Sequence, residues 1–319
     1  MKKRTWRDKS KNHAYHSDFN KVASFDETSE HLFSLHTPEY FKKNIDFNNS
    51  NDPLLLQILP SKHEHLTHED FINDPVGDLD SRKSKGVIHK YKGRVLLIAT
   101  GTCAINCRYC FRRSFPYTQN NASAKNWQEA IKYIKENKDL HEVILSGGDP
   151  LMLSTKVLTR LSVQLEKIDH IKTLRIHTRI PIVSPSRINT TFINWLNSVK
   201  LKKVMVVHCN HPNELQKKVK KTIRAIKNTD TILLNQSVLL KDINDNYLIL
   251  TELSFKLFDY GILPYYLNQL DKVSGSSHFF ISKEKAKAIH KNLLQELPGY
   301  LVPKLVEEIS GKNNKSPIF

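Results

Sequence analysis

Long apolar runs are missing from this 319-residue chain: the longest uninterrupted one covers residues 95–99, far short of the roughly 18 residues that a membrane-spanning helix needs. The opening residues, MKKRTWRDKSKNHAYHS, contain no apolar stretch of the kind a secretory leader carries. A soluble, cytoplasmic protein is the expectation. Cysteine is scarce too, with four in the chain, too few for a disulfide framework at this length. Acidic residues are the minority charge, 32 against 49 basic ones, for a formal net charge of +17. Such an excess suits nucleic acid when the cations are clustered. Here they are dispersed, the densest run being residues 217–221, so drift towards lysine is the favoured explanation and nucleic acid an unfavoured partner.

What is present is a change of pattern near Arg94. Residues 1–90 are polar and His-rich, with Pro-bounded pieces such as Asp52-Pro53-Leu54-Leu55-Leu56, and read as a mostly helical N-terminal extension. Beyond it, short β-branched runs alternate with longer amphipathic stretches, which points to repeated βα units and a parallel sheet. Strands are expected at 95–100, 142–145, 173–176, 203–207, 232–235 and 263–266. Helices are expected at 127–137, 156–167, 191–199, 213–228, 247–260 and 283–296. Six strands do not close an eight-stranded barrel. The expected α/β fold is therefore an open, partial TIM-type (β/α)6 barrel over residues 91–300, with a tail at 301–319 and a flavodoxin-like sheet as the alternative. Either architecture gathers ligands at the carboxyl ends of the strands. Trp6, Trp127 and Trp195 are assigned to packing.

Three of the four cysteines fall within eight residues, Cys103-Ala-Ile-Asn-Cys107-Arg-Tyr-Cys110, directly after the first expected strand. Three thiolates at this spacing can hold three irons of a 4Fe-4S cubane and leave the fourth open. The alternative, a structural zinc site, usually has four ligands, for which His208 or Cys209 are the candidates. One βα unit later comes Ser146-Gly147-Gly148-Asp149-Pro150. A Gly-Gly pair alone marks only a tight turn, but after a three-cysteine loop it carries more weight. With Tyr109 before the third cysteine, the chain resembles the radical S-adenosylmethionine (SAM) superfamily. That resemblance implies a cluster on Cys103, Cys107 and Cys110, its open iron chelating SAM, with Tyr109, Gly147 and Gly148 as SAM-binding residues.

Further stretches narrow the resemblance. Cys107-Arg-Tyr-Cys-Phe-Arg-Arg, Arg175-Ile-His-Thr-Arg-Ile-Pro-Ile-Val, Asn210-His-Pro-Asn-Glu214, Asn235-Gln-Ser-Val-Leu-Leu-Lys and Pro264-Tyr-Tyr-Leu-Asn-Gln-Leu-Asp271 together are similar to the lysine 2,3-aminomutase family, over roughly residues 52–317. The resemblance implies pyridoxal 5′-phosphate (PLP) as second cofactor, held through Lys315. It further implies Arg112 as the partner of the substrate carboxylate, and Asp271 and Glu308 as partners of its ε-ammonium. The implied reaction begins with reductive cleavage of SAM by a one-electron donor of flavodoxin or ferredoxin type. A hydrogen then leaves C3 of PLP-bound L-lysine, and the amino group migrates from C2 to C3. The short C-terminus is most similar to the branch that makes (R)-β-lysine for attachment to elongation factor P by a separate ligase. The alternatives are a free-standing aminomutase of amino-acid metabolism, a radical SAM enzyme acting on RNA, and a zinc-binding interaction module. Arg175, His177, Arg179 and Gln236, near expected strand ends, are not apportioned between the two cofactors, and a homo-oligomeric state is left open.

Overall fold

The computed structural model describes residues 17–117 and 127–319; Trp6 lies outside the described residues. Ten strands form one sheet in sequence order. They are β1 (Arg82–Ser84), β2 (Val87–Tyr91), β3 (Arg94–Thr100), β4 (Glu142–Gly147), β5 (Thr173–Thr178), β6 (Lys202–His208), β7 (Thr231–Val238), β8 (Leu263–Asn268), β9 (Lys304–Glu307) and β10 (Ser316–Pro317). Neighbours from β3 through β9 run parallel. The hairpins at both edges are antiparallel. Because β1 and β10 stand at opposite ends of the order without pairing, the sheet is the open, partial barrel that the six-strand pattern implied.

Strand alternation divides the sheet chemically. Successive side chains point to opposite faces, and the register lines up Leu97, Leu145, Ile176, Met205 and Leu233 across five strands. These residues are buried in the main core. The intervening positions of β3 to β5, which are Arg94, Leu96, Glu142, Ile144, Ser146, Arg175 and His177, face an internal cavity instead. One face of the sheet is thus an apolar floor for helices, and the other carries the polar groups.

The covering helices follow the same logic. Helices α1 (Glu27–Leu32), α2 (Glu39–Lys42) and α3 (Pro53–Leu56) belong to the extension. In α3 the Asp52 carboxylate accepts the Leu54 and Leu55 amides, both at 2.9 Å, with Pro53 at the first helical position. Helix α4 (Trp127–Glu136) buries Trp127, Ala130 and Ile134, one stripe of an amphipathic helix. Helix α5 (Thr155–Glu166) is capped by Ser154 and buries Leu158, Leu161 and Leu165. Four short or medium helices complete the set up to α9: α6 (Ile180–Val183), α7 (Thr190–Ser198), α8 (Lys217–Lys227) and α9 (Tyr247–Asp259). The last is α10 (Lys283–Glu296). Among the described residues no helix is long and apolar enough to cross a membrane.

Two local differences from expectation, at the start of α8 and at the two ends of the sheet, have physical causes. The helix expected over 213–228 begins only at Lys217, because Pro212–Glu214 forms a separate turn that points Glu214 inward. The dense basic run is the outer face of α8, which buries Val219, Ile223 and Ile226 and leaves its lysines in solvent. The extension and the tail also add strands: β1 and β2 pair onto β3, and β9 and β10 pair beyond β8.

Candidate active site

The cysteine loop leaves the carboxyl end of β3 and is locked by the turn after β4. Gly147 has φ of +114°, and a Cβ there would lie 2.5 Å from the Thr100 carbonyl oxygen. A Cβ on Gly148 would lie 2.5 Å from the Thr102 carbonyl oxygen. Only glycines allow this approach. It lets the Gly148 and Asp149 amides donate to the carbonyls of Thr100 and Thr102, at 2.7 and 2.9 Å. The extension clamps the loop from the other side. Buried Glu64 accepts Arg108 Nη2 at 2.6 Å and Arg113 Nη2 at 2.7 Å, while Arg108 also donates to the carbonyls of Phe33 and Ser29.

Cys103, Cys107 and Cys110 line one cavity of about 490 Å³, together with Tyr109, Arg112, Gly147, Gly148, Asp271, Glu308 and Lys315. The volume is that of a small-molecule site, and every residue singled out for a role by the sequence resemblance borders it. Tyr109 is buried, its ring stacked on His208 with centroids 5.8 Å apart, and its hydroxyl accepts Asn210 Nδ2 at 2.7 Å and Arg179 Nη1 at 2.9 Å. Burial, and then the Arg179 charge, drive the His208 imidazole down to about 3, so it is neutral at physiological pH.

A chain of ion pairs runs along the cavity wall. Arg112 Nη1 donates to Ser146 Oγ at 3.1 Å, and its Nε donates to Asp78 at 2.7 Å. Lys90 Nζ bridges Asp78 at 2.6 Å and Glu308 at 2.9 Å. Lys315 Nζ closes the chain on Glu308, also at 2.9 Å. Burial alone would push both acids up. For Asp78, Arg112 and Lys90 outweigh it and hold the carboxyl below the usual range. For Glu308, Lys315 and Lys90 hold it at about 2. Asp271 behaves oppositely: burial pushes it up to about 7, Lys315 pulls it down and Glu308 adds to the rise.

A family model of the radical SAM superfamily matches residues 97–251. The chain is 48% identical over 285 residues to an L-lysine 2,3-aminomutase from Haemophilus influenzae, covering 89% of this chain and 84% of that protein. It is 44% identical over 291 residues to an L-lysine 2,3-aminomutase from Escherichia coli, covering 91% and 85%. Against the L-lysine 2,3-aminomutase of Clostridium subterminale the identity is 33% over 289 residues, covering 88% and 67%. The chain belongs to the lysine 2,3-aminomutase family of radical SAM enzymes. It is thereby a radical SAM isomerase. Among solved structures, a radical SAM methyltransferase from Sphaerobacter thermophilus aligns with a TM-score of 0.48 and 16% identity, covering 69% of this chain and 68% of that one.

Membership in the aminomutase family implies an iron–sulfur cluster, SAM and PLP, and the donor set can be tested against them. Among the described residues no group of three His, Cys, Asp or Glu side chains converges on a single metal ion. The three thiols are nonetheless mutual electrostatic neighbours. Burial, and then the neighbouring cysteines, push Cys103 well up and Cys110 up to about 11. Three thiols on one cavity suit a soft, multi-metal cationic group, which stabilises the thiolate form; the Asp149 carboxylate is a further neighbour that raises Cys103. Cys209, the candidate fourth ligand, is buried against Asn235 and the His211 carbonyl and does not border the cavity. His208 does border it, but its Nε2 is engaged with the Tyr109 hydroxyl. The cavity wall also holds buried polar atoms without a partner among the described residues, His177 Nε2 and Asn268 Oδ1. The residues present fit the group.

Sequence reasoning missed Asp78, Lys90, Gln57 and Glu214. Glu214 ends the stretch 210–214 quoted for the resemblance, where no role was given to it; Asp78, Lys90 and Gln57 lie outside the quoted stretches. A second signal was Lys90, a charge amid the Val87–Tyr91 strand pattern beside the expected first strand.

Proposed function

We propose that this aminomutase converts L-lysine to β-lysine by moving the amino group from C2 to C3. We further propose that the product is (R)-β-lysine and serves the modification of elongation factor P by a separate ligase. The observation that carries the first part is the charge order of the cavity. Arg112 stands for the substrate carboxylate, Glu308 and Asp271 stand for the distant ammonium, and Lys315 lies beside Glu308. A diamino acid with one carboxylate needs that order, because each buried charge requires a partner.

When bound, the cluster and SAM supply one-electron chemistry that activates a C–H bond, and PLP supplies a carbonyl to hold the migrating nitrogen. In this reading Cys103, Cys107 and Cys110 hold the cluster, Tyr109, Gly147 and Gly148 border SAM, and Lys315 is the amine that retains PLP. Arg112 spends Nε and Nη1 on Asp78 and Ser146, which leaves Nη2 to donate to the incoming carboxylate. Ionised Glu308 accepts from the substrate ammonium when Lys315 withdraws. Asp271 shares that task as its proton leaves. The described part of the extension, residues 17–90, and the tail of residues 301–319 flank the 91–300 core and help exclude water from the cavity. An external one-electron donor of flavodoxin or ferredoxin type delivers the electron.

Similarity to three proteins named L-lysine 2,3-aminomutase supports the 2,3-amino migration. Identity is 48% and 44% to relatives of which the chain spans 84% and 85%, against 33% to one of which it spans 67%. Anaerobic turnover of L-lysine followed by chiral chromatography is the test. (R)-β-lysine is expected. (S)-β-lysine would favour a free-standing role in amino-acid metabolism, and no β-lysine with all cofactors loaded would overturn the aminomutase reading.

A further inference from the structure

Among the cations near the cavity, Arg179 is the one joined to a cysteine. Its Nη1 donates to Cys107 Sγ at 2.8 Å and to the Tyr109 hydroxyl at 2.9 Å. Its Nη2 donates to Gln57 Oε1 at 2.6 Å and to Glu214 Oε2 at 2.9 Å. The side chain is 6% exposed. A buried guanidinium needs its charge paired and its donors engaged. Three segments engage Nη1 and Nη2: Gln57 after α3, Cys107 and Tyr109 in the cysteine loop, and Glu214 in the turn before α8. Nε has no partner among the described residues, and Asp149 holds the backbone by accepting the Arg179 amide at 2.7 Å.

The arrangement has a direction. The counter-ion Glu214 sits on Nη2, and the sulfur sits on Nη1. Glu214 is itself held by the Asn210 and His211 amides and by Gln57 Nε2, so it does not depend on Arg179 alone for hydrogen bonds. A purely structural network would have no need to spend a charged donor on sulfur.

We propose that Arg179 is a positioning residue that sets the reduction potential of the cluster held by Cys103, Cys107 and Cys110, acting through its N–H···S bond to Cys107. The inference rests on the cluster assignment above. Reduction adds one electron, taken from an external one-electron donor, and makes the cluster more negative. Hydrogen bonds to the ligating sulfurs and a nearby buried cation stabilise that form and raise the potential. Glu214 opposes the cation and moderates the effect. Gln57 ties the pair to the extension, so the segment before the barrel takes part in tuning the cluster.

The test is an anaerobic redox titration of reconstituted protein without SAM, with dithionite as reductant and the reduced cluster read by electron paramagnetic resonance. Iron and sulfide are counted alongside. Arg179→Gln should keep its iron and lower the reduced-to-oxidised ratio at a fixed potential by about tenfold, which is about 59 mV for a one-electron couple. Arg179→Lys, which keeps the charge, should recover much of that loss. Glu214→Gln, which leaves the sulfur contact and removes the counter-ion, should move the ratio the other way. If Arg179→Gln fails to fold, the other two variants decide. Unmoved midpoints in iron-replete variants, or a Glu214→Gln shift in the same direction as Arg179→Gln, overturn the proposal. Wild-type protein that takes up no iron–sulfur cluster overturns the cluster assignment instead.

Discussion

Lys315 Nζ lies 2.9 Å from Glu308 Oε2, across a hairpin whose register pairs Ser316 with Glu307 and Pro317 with Val306. The two side chains are therefore neighbours by strand pairing, one step beyond the last paired residues. The Lys315 ammonium is chemically the same group as the ε-ammonium of free lysine. In the proposed reading, Glu308 accepts from the substrate ε-ammonium where it accepts from Lys315 in this structure. Glu308→Gln should raise the KM for L-lysine roughly 10- to 100-fold, the equivalent of losing a charge-assisted hydrogen bond of about 1.5–3 kcal/mol, with a smaller effect on kcat. Steady-state kinetics with an unchanged KM would remove Glu308 from substrate binding.

Lys315→Ala should abolish the covalent attachment of PLP. Borohydride reduction followed by peptide mapping should find pyridoxyl-lysine at position 315 in the parent protein and nowhere in the variant. A label on another lysine would reassign the residue.

With Asp271 as a partner of the substrate ammonium, the proposed reading makes L-lysine binding depend on pH. Its folded value near 7 lies above the ordinary carboxyl value, so the native state holds a proton that the unfolded chain has released. Its contribution to stability therefore falls as pH rises from about 4 to 7. Ammonium binding has the opposite sign, because only the ionised form attracts a cation. L-lysine affinity for PLP-free protein should rise between pH 6 and pH 8 by calorimetry, and Asp271→Asn should flatten that rise. An equal rise in the variant would place the titrating group elsewhere.

Alanine at Cys103, Cys107 or Cys110 should each remove the iron–sulfur absorbance. Cys209→Ala should retain it, since Cys209 packs behind β6 and β7 against Asn235. Iron and acid-labile sulfide analysis after anaerobic reconstitution separates the four variants.

Glu64→Ala should destabilise the apo-protein by about 3–5 kcal/mol, because it leaves Arg108 and Arg113 charged, buried and without their shared acceptor. Chemical denaturation should show an earlier midpoint. A midpoint equal to that of the parent would mean that solvent reaches the two guanidinium groups.

The six strands β3 to β8 were legible because each is a short run of β-branched, leucine or aromatic residues between amphipathic stretches, and the cysteine loop and the Gly-Gly turn because chemistry and sterics restrict them to those residues. The tail strands were not. β9 has four residues and β10 two, too few to display a period, and their pairing depends on β8 being in place. Lys90 and Glu308 are 218 positions apart, and Gln57 and Glu214 are 157 apart. Neither pairing is visible locally, because the fold alone brings the partners together. The same holds for Arg179, whose hydrogen bond to Cys107 is a consequence of where α3 and the turn before α8 meet the loop.

The most direct measurement uses L-lysine carrying 15N on its α-amino group, incubated anaerobically with protein loaded with cluster, SAM and PLP and supplied with a one-electron reductant. Nuclear magnetic resonance of the product should show β-lysine with the label bonded to C3 and none of it lost to solvent. Unchanged lysine after full loading, or β-lysine whose C3 nitrogen is unlabelled, would contradict an intramolecular 2,3-amino migration in this cavity.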